Sequence, residues 1–259
     1  MDSVITSVHN PRILDMRRLD SPKARREAGS FLCEGTRMVE EAMLSGLCET
    51  LILREDAQDL MTLAGEKGVE ILRVSERVMQ SLCEAKTPQR ACALCRMPEE
   101  KKPEGNRILA LDGVQNPGNV GTMMRTADAA GFDGVLLGPG CADPYSGKSI
   151  AASMGSLFHF PVARTQDLPG DLSYYAAHGL QVIASELGGE DFFEALPPSP
   201  CVLVIGSEGN GISAAVSSAC TCHLALPMIG QAESLNAAVA AGIMMYEIAR
   251  KAEKKNGKC

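Results

Sequence analysis

Over residues 31–95 the apolar positions switch repeatedly between a spacing near two and a spacing near 3.6. FLCEG (31–35), ETLILRE (49–55), VEILRV (69–74) and ACALC (91–95) read as strands. Between them, TRMVEEAMLSG (36–46) places Met38, Val39, Ala42 and Met43 on one helical face. AQDLMTLAGEKG (57–68) predicts a helix closed by Gly68, and SERVMQSLCEA (75–85) a helix capped by Ser75. A second series follows, with strands at RILALDGV (107–114), GVLLG (134–138), HGLQVIASE (178–186) and CVLVIG (201–206). Helices are expected at 118–131 and 234–253. LALD, VLLG and VLVIG are apolar throughout rather than alternating, as parallel strands buried on both faces require. The pattern therefore predicts an α/β protein in two parts. The polar, Pro-containing stretch MPEEKKPEGN (97–106) marks the junction, giving a first domain at 1–98, a linker at 99–106 and a second domain at 107–259.

With 259 residues, 45% of them hydrophobic and 22% charged, the chain has material for a sizeable core. No run nears the ~20 apolar residues of a membrane helix. The opening MDSVITSVHNPRILDMRR lacks the basic start and apolar run of a signal peptide, so a cytoplasmic protein is expected. A net charge of −7 argues against indiscriminate coating of nucleic acid. Positive charge is instead local: Arg12, Arg17, Arg18, Lys23, Arg25 and Arg26 cluster near the N-terminus against Asp15 and Asp20. The tail lysines Lys251, Lys254, Lys255 and Lys258 read as a solvated helix face. Ten cysteines include a C-x-x-C (Cys92, Cys95) and a C-x-C (Cys220, Cys222), which lie far apart with no His at finger spacing. Buried free thiols are the better reading, and no metal is expected.

Three stretches carry polar groups that a core does not need: NPGNVGTMMRTADAAGF (116–132), VLVIGSEGNGIS (202–213) and LPMIGQAESLNAAVAAGIMMYE (226–247). Each joins a strand or loop to a helix. GSEGNG follows an apolar strand, where Gly206, Gly209 and Gly211 permit close backbone approach to a nucleotide-like ligand. Glu208 in its middle would repel phosphates, so a ligand bearing a cationic sulfonium fits better. A plain turn with an exposed Glu is the competing reading. Arg125 interrupts a helix of Val120, Met123, Met124, Ala127, Ala129 and Ala130; it either pairs with Asp128 or faces a cleft beside a carboxylate such as Glu208. Ser234 is a natural N-cap, and Asn236 in the first turn would bond outward. Ala237, Ala238, Ala240, Ala241 and Gly242 would let another backbone pack closely. GCADPYSGKSIA resembles a phosphate loop, but Ala142 stands where Gly is needed and Pro144 interrupts it.

Taken together, the three stretches resemble the signature motifs of the SpoU/TrmH branch of the SPOUT RNA methyltransferases. Asn119, Gly121 and Arg125 match the first motif; Gly206, Glu208 and Gly209 the second; Pro227, Met228, Gly230, Ser234, Leu235 and Asn236 the third. The resemblance implies a C-terminal SPOUT domain with a deep trefoil knot and bound S-adenosylmethionine. Gly206, Leu226, Met228 and Leu235 fall at the positions that contact this cofactor. It implies a homodimer, formed through the C-terminal domain, that methylates the ribose 2′-hydroxyl of rRNA or tRNA. The first domain resembles the family's smaller α/β substrate-binding domain, which shares its fold with ribosomal proteins. FLCEGTRMVEEAMLSG matches best and adds Arg37 to the expected RNA contacts; in KTPQRACAL, Arg90 replaces a family Gly.

The resemblance makes Asn119, Arg125, Glu208, Ser234 and Asn236 the catalytic set. The family proposal uses the Arg as base, yet a neutral arginine side chain at pH 7 costs roughly 7 kcal/mol. Arg125 is therefore expected to orient the hydroxyl and adjacent phosphate, with Glu208 and Asn119 holding it. The main alternative is a non-catalytic RNA-binding or assembly protein on the same fold. A methyltransferase for bases or small molecules is a second, and a dinucleotide enzyme lacks its glycine fingerprint.

Overall fold

The computed structural model describes residues 4–54, 57, 60–85, 89–195 and 199–255. Glu55, Gln58 and Asp59 of the expected elements, Lys86, Thr87 and Pro88, Lys258, and the side chains of Lys254 and Lys255 lie outside the described residues. By contact the chain divides into two units, Met1–Glu99 with Asp143–His159, and Glu100–Ala142 with Phe160–Cys259.

The basic opening of the first unit forms two short helices, α1 (Pro11–Arg18) and α2 (Pro22–Ala28). Asn10 caps α1 by accepting from the Arg12 N–H, and Pro11 presets the first turn. Then follow β1 (Ser30–Glu34), α3 (Thr36–Leu44), β2 (Cys48–Leu53), α4 (Met61–Lys67), β3 (Glu70–Arg73), α5 (Glu76–Leu82) and β4 (Ala91–Arg96). Ser75 caps α5 and Gly68 closes α4 in the left-handed region, as expected from the sequence. The sheet runs β1-β4-β2-β3, with β4 antiparallel to both its neighbours and β2 parallel to β3. Ile13 and Met16 of α1 close over Ile52, Val74, Val78, Met79 and Cys92 to make its core.

Residues 143–159, expected in the second domain, pack with the first unit. They form α7 (Gly147–Ser153) and a 3-10 turn at Ser156–Phe158. Phe31 of β1 meets the ring of Tyr145 at 5.1 Å and that of Phe158 at 6.3 Å. Arg25, almost wholly buried, donates from Nε (3.0 Å) and from a terminal nitrogen (2.8 Å) to Asp143. Its other terminal nitrogen donates to the carbonyls of Leu19 and Asp20. Aromatic burial and a desolvated ion pair thus assign this segment, and neither is visible in local periodicity. Gly147-Lys148-Ser149 is the first turn of α7, capped by Ser146, and a side chain at Gly147 would meet the Glu84 carboxyl.

The second unit contains β5 (Arg107–Asp112), α6 (Pro117–Ala129), β6 (Gly134–Leu137), β7 (Val162–Arg164), α8 (Leu168–Ala177) and β8 (Gln181–Asp191). It continues with α9 (Phe192–Ala195), β9 (Cys201–Gly206), α10 (Ala214–Ala219), β10 (Cys222–Ala225) and α11 (Ala237–Lys255). The sheet is parallel throughout, in the order β10-β8-β9-β5-β6-β7. Both faces are covered, and Ile108, Ala110, Val182, Val202 and Val204 are fully buried, which explains the uninterrupted apolar runs. The chain leaves β5 toward β6 but leaves β9 toward β10, on the other side. A crevice therefore opens between the carboxyl ends of these adjacent strands, where α/β sheets bind their ligands.

The expected linker is tied down from residue 100 onward. Glu100 accepts from the Arg164 backbone at 2.9 Å and pairs with its guanidinium, Lys102 pairs with Asp171, and the Tyr175 hydroxyl donates to the Pro103 carbonyl at 2.7 Å. Among the described residues, no helix is long and apolar enough to cross a membrane.

Candidate active site

The crevice is bounded by the loops that leave β5 and β9. Asn116 caps α6, accepting from the backbone N–H groups of Gly118 (2.8 Å) and Asn119 (3.3 Å), with Pro117 opening the helix. That cap fixes Asn119 in the first turn, half-buried at the crevice edge.

After β9 the backbone folds back on itself. A side chain at Gly206 would lie 2.2 Å from the Gly211 backbone, so only glycine fits there. Ser207 and Gly211 exchange backbone hydrogen bonds at 3.0 and 2.9 Å, with Gly211 at φ 66°. Asp112, buried at the end of β5, accepts from the Ser213 N–H at 2.7 Å and pins the far side of the loop. Glu208 is left exposed at the tip of a turn held at both ends.

Asn119 Nδ2 donates to Glu208 Oε1, and Asn236 Nδ2 donates to Asn119 Oδ1 at 3.3 Å. Asn236 Oδ1 in turn accepts from the N–H groups of Ala238 (2.9 Å) and Val239 (3.3 Å) at the start of α11. Three residues from three separate stretches thus form one hydrogen-bonded row. The cap of α11 is Asn236, not Ser234. Ser234 lies in the preceding loop, exposed and without a hydrogen bond among the described residues. The helix begins late enough that the Asn amide, rather than the Ser hydroxyl, reaches its free N–H groups.

Arg125 does not join this row. It is exposed and makes no ion pair or hydrogen bond among the described residues, whether with Glu208 or with Asp128. Six residues separate it from Asn119, roughly 240° around the helix, so the two side chains leave α6 in different directions. Glu208 is held by Asn119 instead.

Leu226 and Met228, on the segment leaving β10, are half-buried. Leu235 is 39% exposed and Ile229 99% exposed. Along α11, Ala238, Ala241, Met244, Met245 and Ile248 are buried, and Gly242 faces Thr126 of α6. Val239, Ile243 and Tyr246 leave an apolar stripe in the open on the other face.

The first unit separates the expected RNA contacts. Arg17, Arg26 and Arg37 are exposed and without ion pairs among the described residues. Arg18 pairs with Asp15 at 3.2 Å and Lys23 with Glu27 at 3.8 Å, both well exposed. Arg12 makes a two-pronged contact with Glu70 at 2.9 and 2.6 Å. That hydrogen bonding raises the Arg12 pKa and holds the Glu70 carboxyl below its ordinary value. Arg25 is withdrawn altogether, because its guanidinium is consumed by Asp143 and two carbonyls. Arg25, expected among the RNA contacts, is instead buried on these partners.

Cys92 and Cys95 sit buried in β4, where Cys95 Sγ lies 3.7 Å from Cys33 Sγ. Hydrogen bonding to neighbouring thiols, Cys83 for Cys92 and Cys33 for Cys95, together with burial, pushes both well up. Burial likewise pushes Cys220 up to about 12 and raises Cys222. Such thiols stay protonated and unreactive. Asn116 and Asp112 shape the site without belonging to the expected set. An Asn followed by Pro is the cap signal that would have found the first; nothing local marks the second.

Residues 106–246 match the SpoU rRNA Methylase family, and residues 10–93 match the MRM3-like substrate binding domain. The chain is 39% identical over 246 residues to the 23S rRNA (guanosine(2553)-2′-O)-methyltransferase RlmP of Bacillus subtilis, covering 94% of this chain and 98% of that one. It resembles the AdoMet-bound rRNA methyltransferase from Sinorhizobium meliloti with a TM-score of 0.82 and 33% identity, over 96% of this chain and 97% of that one. It also resembles the SpoU methyltransferase AviRb of Streptomyces viridochromogenes in complex with AdoMet, with a TM-score of 0.84 and 30% identity, over 93% of this chain and 98% of that one.

Proposed function

The chain belongs to the SpoU rRNA methylase family, and from that premise we propose that it transfers a methyl group from S-adenosylmethionine to a ribose 2′-hydroxyl in ribosomal RNA. One observation carries the reading: Asn236, Asn119 and Glu208, spread over 117 positions, meet in a single hydrogen-bonded row at the crevice. Buried polar packing does not demand such a row, since Glu208 and Asn236 are exposed. Chemistry at a surface crevice does.

The residues suit the donor. The tight turn at Gly206 brings backbone to the crevice, and the Glu208 carboxylate at its tip disfavours a phosphate while tolerating a cation. Leu226, Met228 and Leu235, partly exposed, offer apolar surface for the rest of the molecule, and Gly206 offers close backbone approach. Bound there, S-adenosylmethionine supplies an electrophilic methyl carbon on a sulfonium. Arg125, a fork of five donors without a partner among the described residues, grips a phosphate next to the target ribose and stabilises charge developing on the oxygen. Ser234 adds an exposed hydroxyl from the loop that precedes α11. Arg17, Arg26 and Arg37 of the first unit bind RNA phosphates, assisted by Arg18 and Lys23, whose surface pairs exchange readily. The open stripe of Val239, Ile243 and Tyr246 joins two copies into a homodimer. The same reading gives the second unit a trefoil knot and the protein a cytoplasmic home.

Purified protein incubated with methyl-labelled S-adenosylmethionine and an unmodified 23S rRNA transcript should incorporate label at a ribose, located by resistance to alkaline cleavage. Donor binding without any transfer, to rRNA or to tRNA, would favour a non-catalytic binding protein.

A further inference from the structure

We infer that Glu208 is the group that takes the proton from the ribose 2′-hydroxyl. The inference rests on the methyl-transfer reading above and names the proton acceptor within it. A methyl cannot be accepted by the hydroxyl without loss of that proton, so some group at the crevice must receive it. Arg125 is disqualified by its chemistry: a guanidinium carries five N–H donors and no acceptor. Nothing among the described residues strips it of that proton either, because Arg125 contacts no carboxylate or other base. The amides of Asn119 and Asn236 are not bases, and the Ser234 hydroxyl has no partner among the described residues to activate it. Glu208 alone remains in the row with an acceptor-only group.

The hydrogen bonds also have a direction. Asn236 Oδ1 is committed to the first N–H groups of α11, which turns its Nδ2 toward Asn119 Oδ1. Asn119 Oδ1 is thereby occupied, and its Nδ2 is presented to Glu208 Oε1. Every link donates toward the carboxylate, starting from a helix N-terminus whose dipole favours negative charge. Glu208 Oε2 receives no hydrogen bond from the described residues, and the residue is exposed. The row thus fixes one carboxylate oxygen and leaves the other for substrate. In the step, the ribose O–H bond breaks and its proton passes to Glu208 Oε2. The ribose oxygen forms the new bond to the methyl carbon, and the carbon–sulfur bond breaks with its electron pair remaining on sulfur. A neutral thioether, a methyl ether and a protonated Glu208 result, and the proton then leaves to water.

Glu208→Gln tests this, since its amide oxygen can still accept from Asn119 while it cannot take a proton. Calorimetric titration should give a dissociation constant for S-adenosylmethionine within about threefold of wild type, and the thermal midpoint should be unchanged. Single-turnover transfer to the 23S rRNA transcript should fall about 10²–10⁴-fold, the usual worth of a positioned base. Formate added to Glu208→Ala should restore part of the rate in proportion to its concentration. A Glu208→Gln rate within tenfold of wild type overturns the assignment, as does a loss of donor affinity that accounts for the whole effect. Failure of the wild-type protein to methylate any RNA would instead sink the underlying reading, and is distinguishable because it needs no variant.

Discussion

Removing Asp143 should cost the protein more than removing any exposed acidic residue near the N-terminus. The Arg25 side chain is 5% exposed and the Asp143 side chain 8% exposed, so neither charge has much water to fall back on. Asp143→Ala leaves a buried cation whose remaining partners among the described residues are the carbonyls of Leu19 and Asp20. Breaking such a pair costs about 3–5 kcal/mol, which at roughly 3 °C per kcal/mol lowers the thermal midpoint by about 10–15 °C. Asp143→Asn keeps an acceptor and should cost less than half of that. In the double variant Arg25→Met with Asp143→Leu the Arg25 cation is no longer stranded, and most of the loss should be recovered, although the Tyr145 N–H still lacks its bond to Asp143 Oδ1. Urea unfolding followed by circular dichroism measures all three. An Asp143→Ala protein within 1 kcal/mol of wild type, or a double variant no better than the single, would refute the view that this pair is a desolvated strut.

Single replacements of Arg17, Arg26 or Arg37 by Ala should weaken RNA binding while leaving the thermal midpoint in place, and each should flatten the log–log salt dependence by about 0.7–0.9, read by filter binding. Gly206→Ala should weaken calorimetric binding of S-adenosylmethionine by more than tenfold, because the new methyl would sit 2.2 Å from the Gly211 backbone; unchanged affinity would mean the turn is not part of the donor site. Arg12 holds the Glu70 carboxyl below its ordinary value, so the pair contributes stability above the unfolded carboxylate pKa of about 4.3 and loses it as pH falls through the folded one. Both side chains are about half exposed, so Arg12→Ala should cost under about 1 kcal/mol at pH 7 and nothing near pH 2, as denaturant titrations at the two pH values would reveal.

Elements with long-period or unbroken apolar patterns were readable in advance. β9 spans 201–206 as expected, and α6, β5 and β6 differ from expectation by a residue or two at their ends. β10 was passed over because CHLA is short and carries a His, giving neither alternation nor an apolar run. Within the site, Asn119, Glu208 and Asn236 came together as expected. Partner choice did not follow: Glu208 took an amide rather than a guanidinium, and Asn236 displaced Ser234 as cap. Both outcomes depend on where helices begin and which way they face, and one residue of shift at a helix start changes the facing side chain by about 100°. The burial of Arg25 is hidden from the sequence for a different reason. Its fate is decided by Asp143, 118 positions away, and a basic run looks the same whether one of its members is swallowed or not.

Because the piece that carries Tyr145, Phe158 and Asp143 is encoded after the junction, a gene cut near codon 99 would not yield two transplantable modules. The amino-terminal fragment would expose the ring of Phe31 and strand a guanidinium, while the remainder would carry an orphaned arm with nothing to grip. Swapping recognition modules between relatives of this chain therefore requires two coordinated splices rather than one, and chimeras built with a single crossover should be recovered as insoluble material.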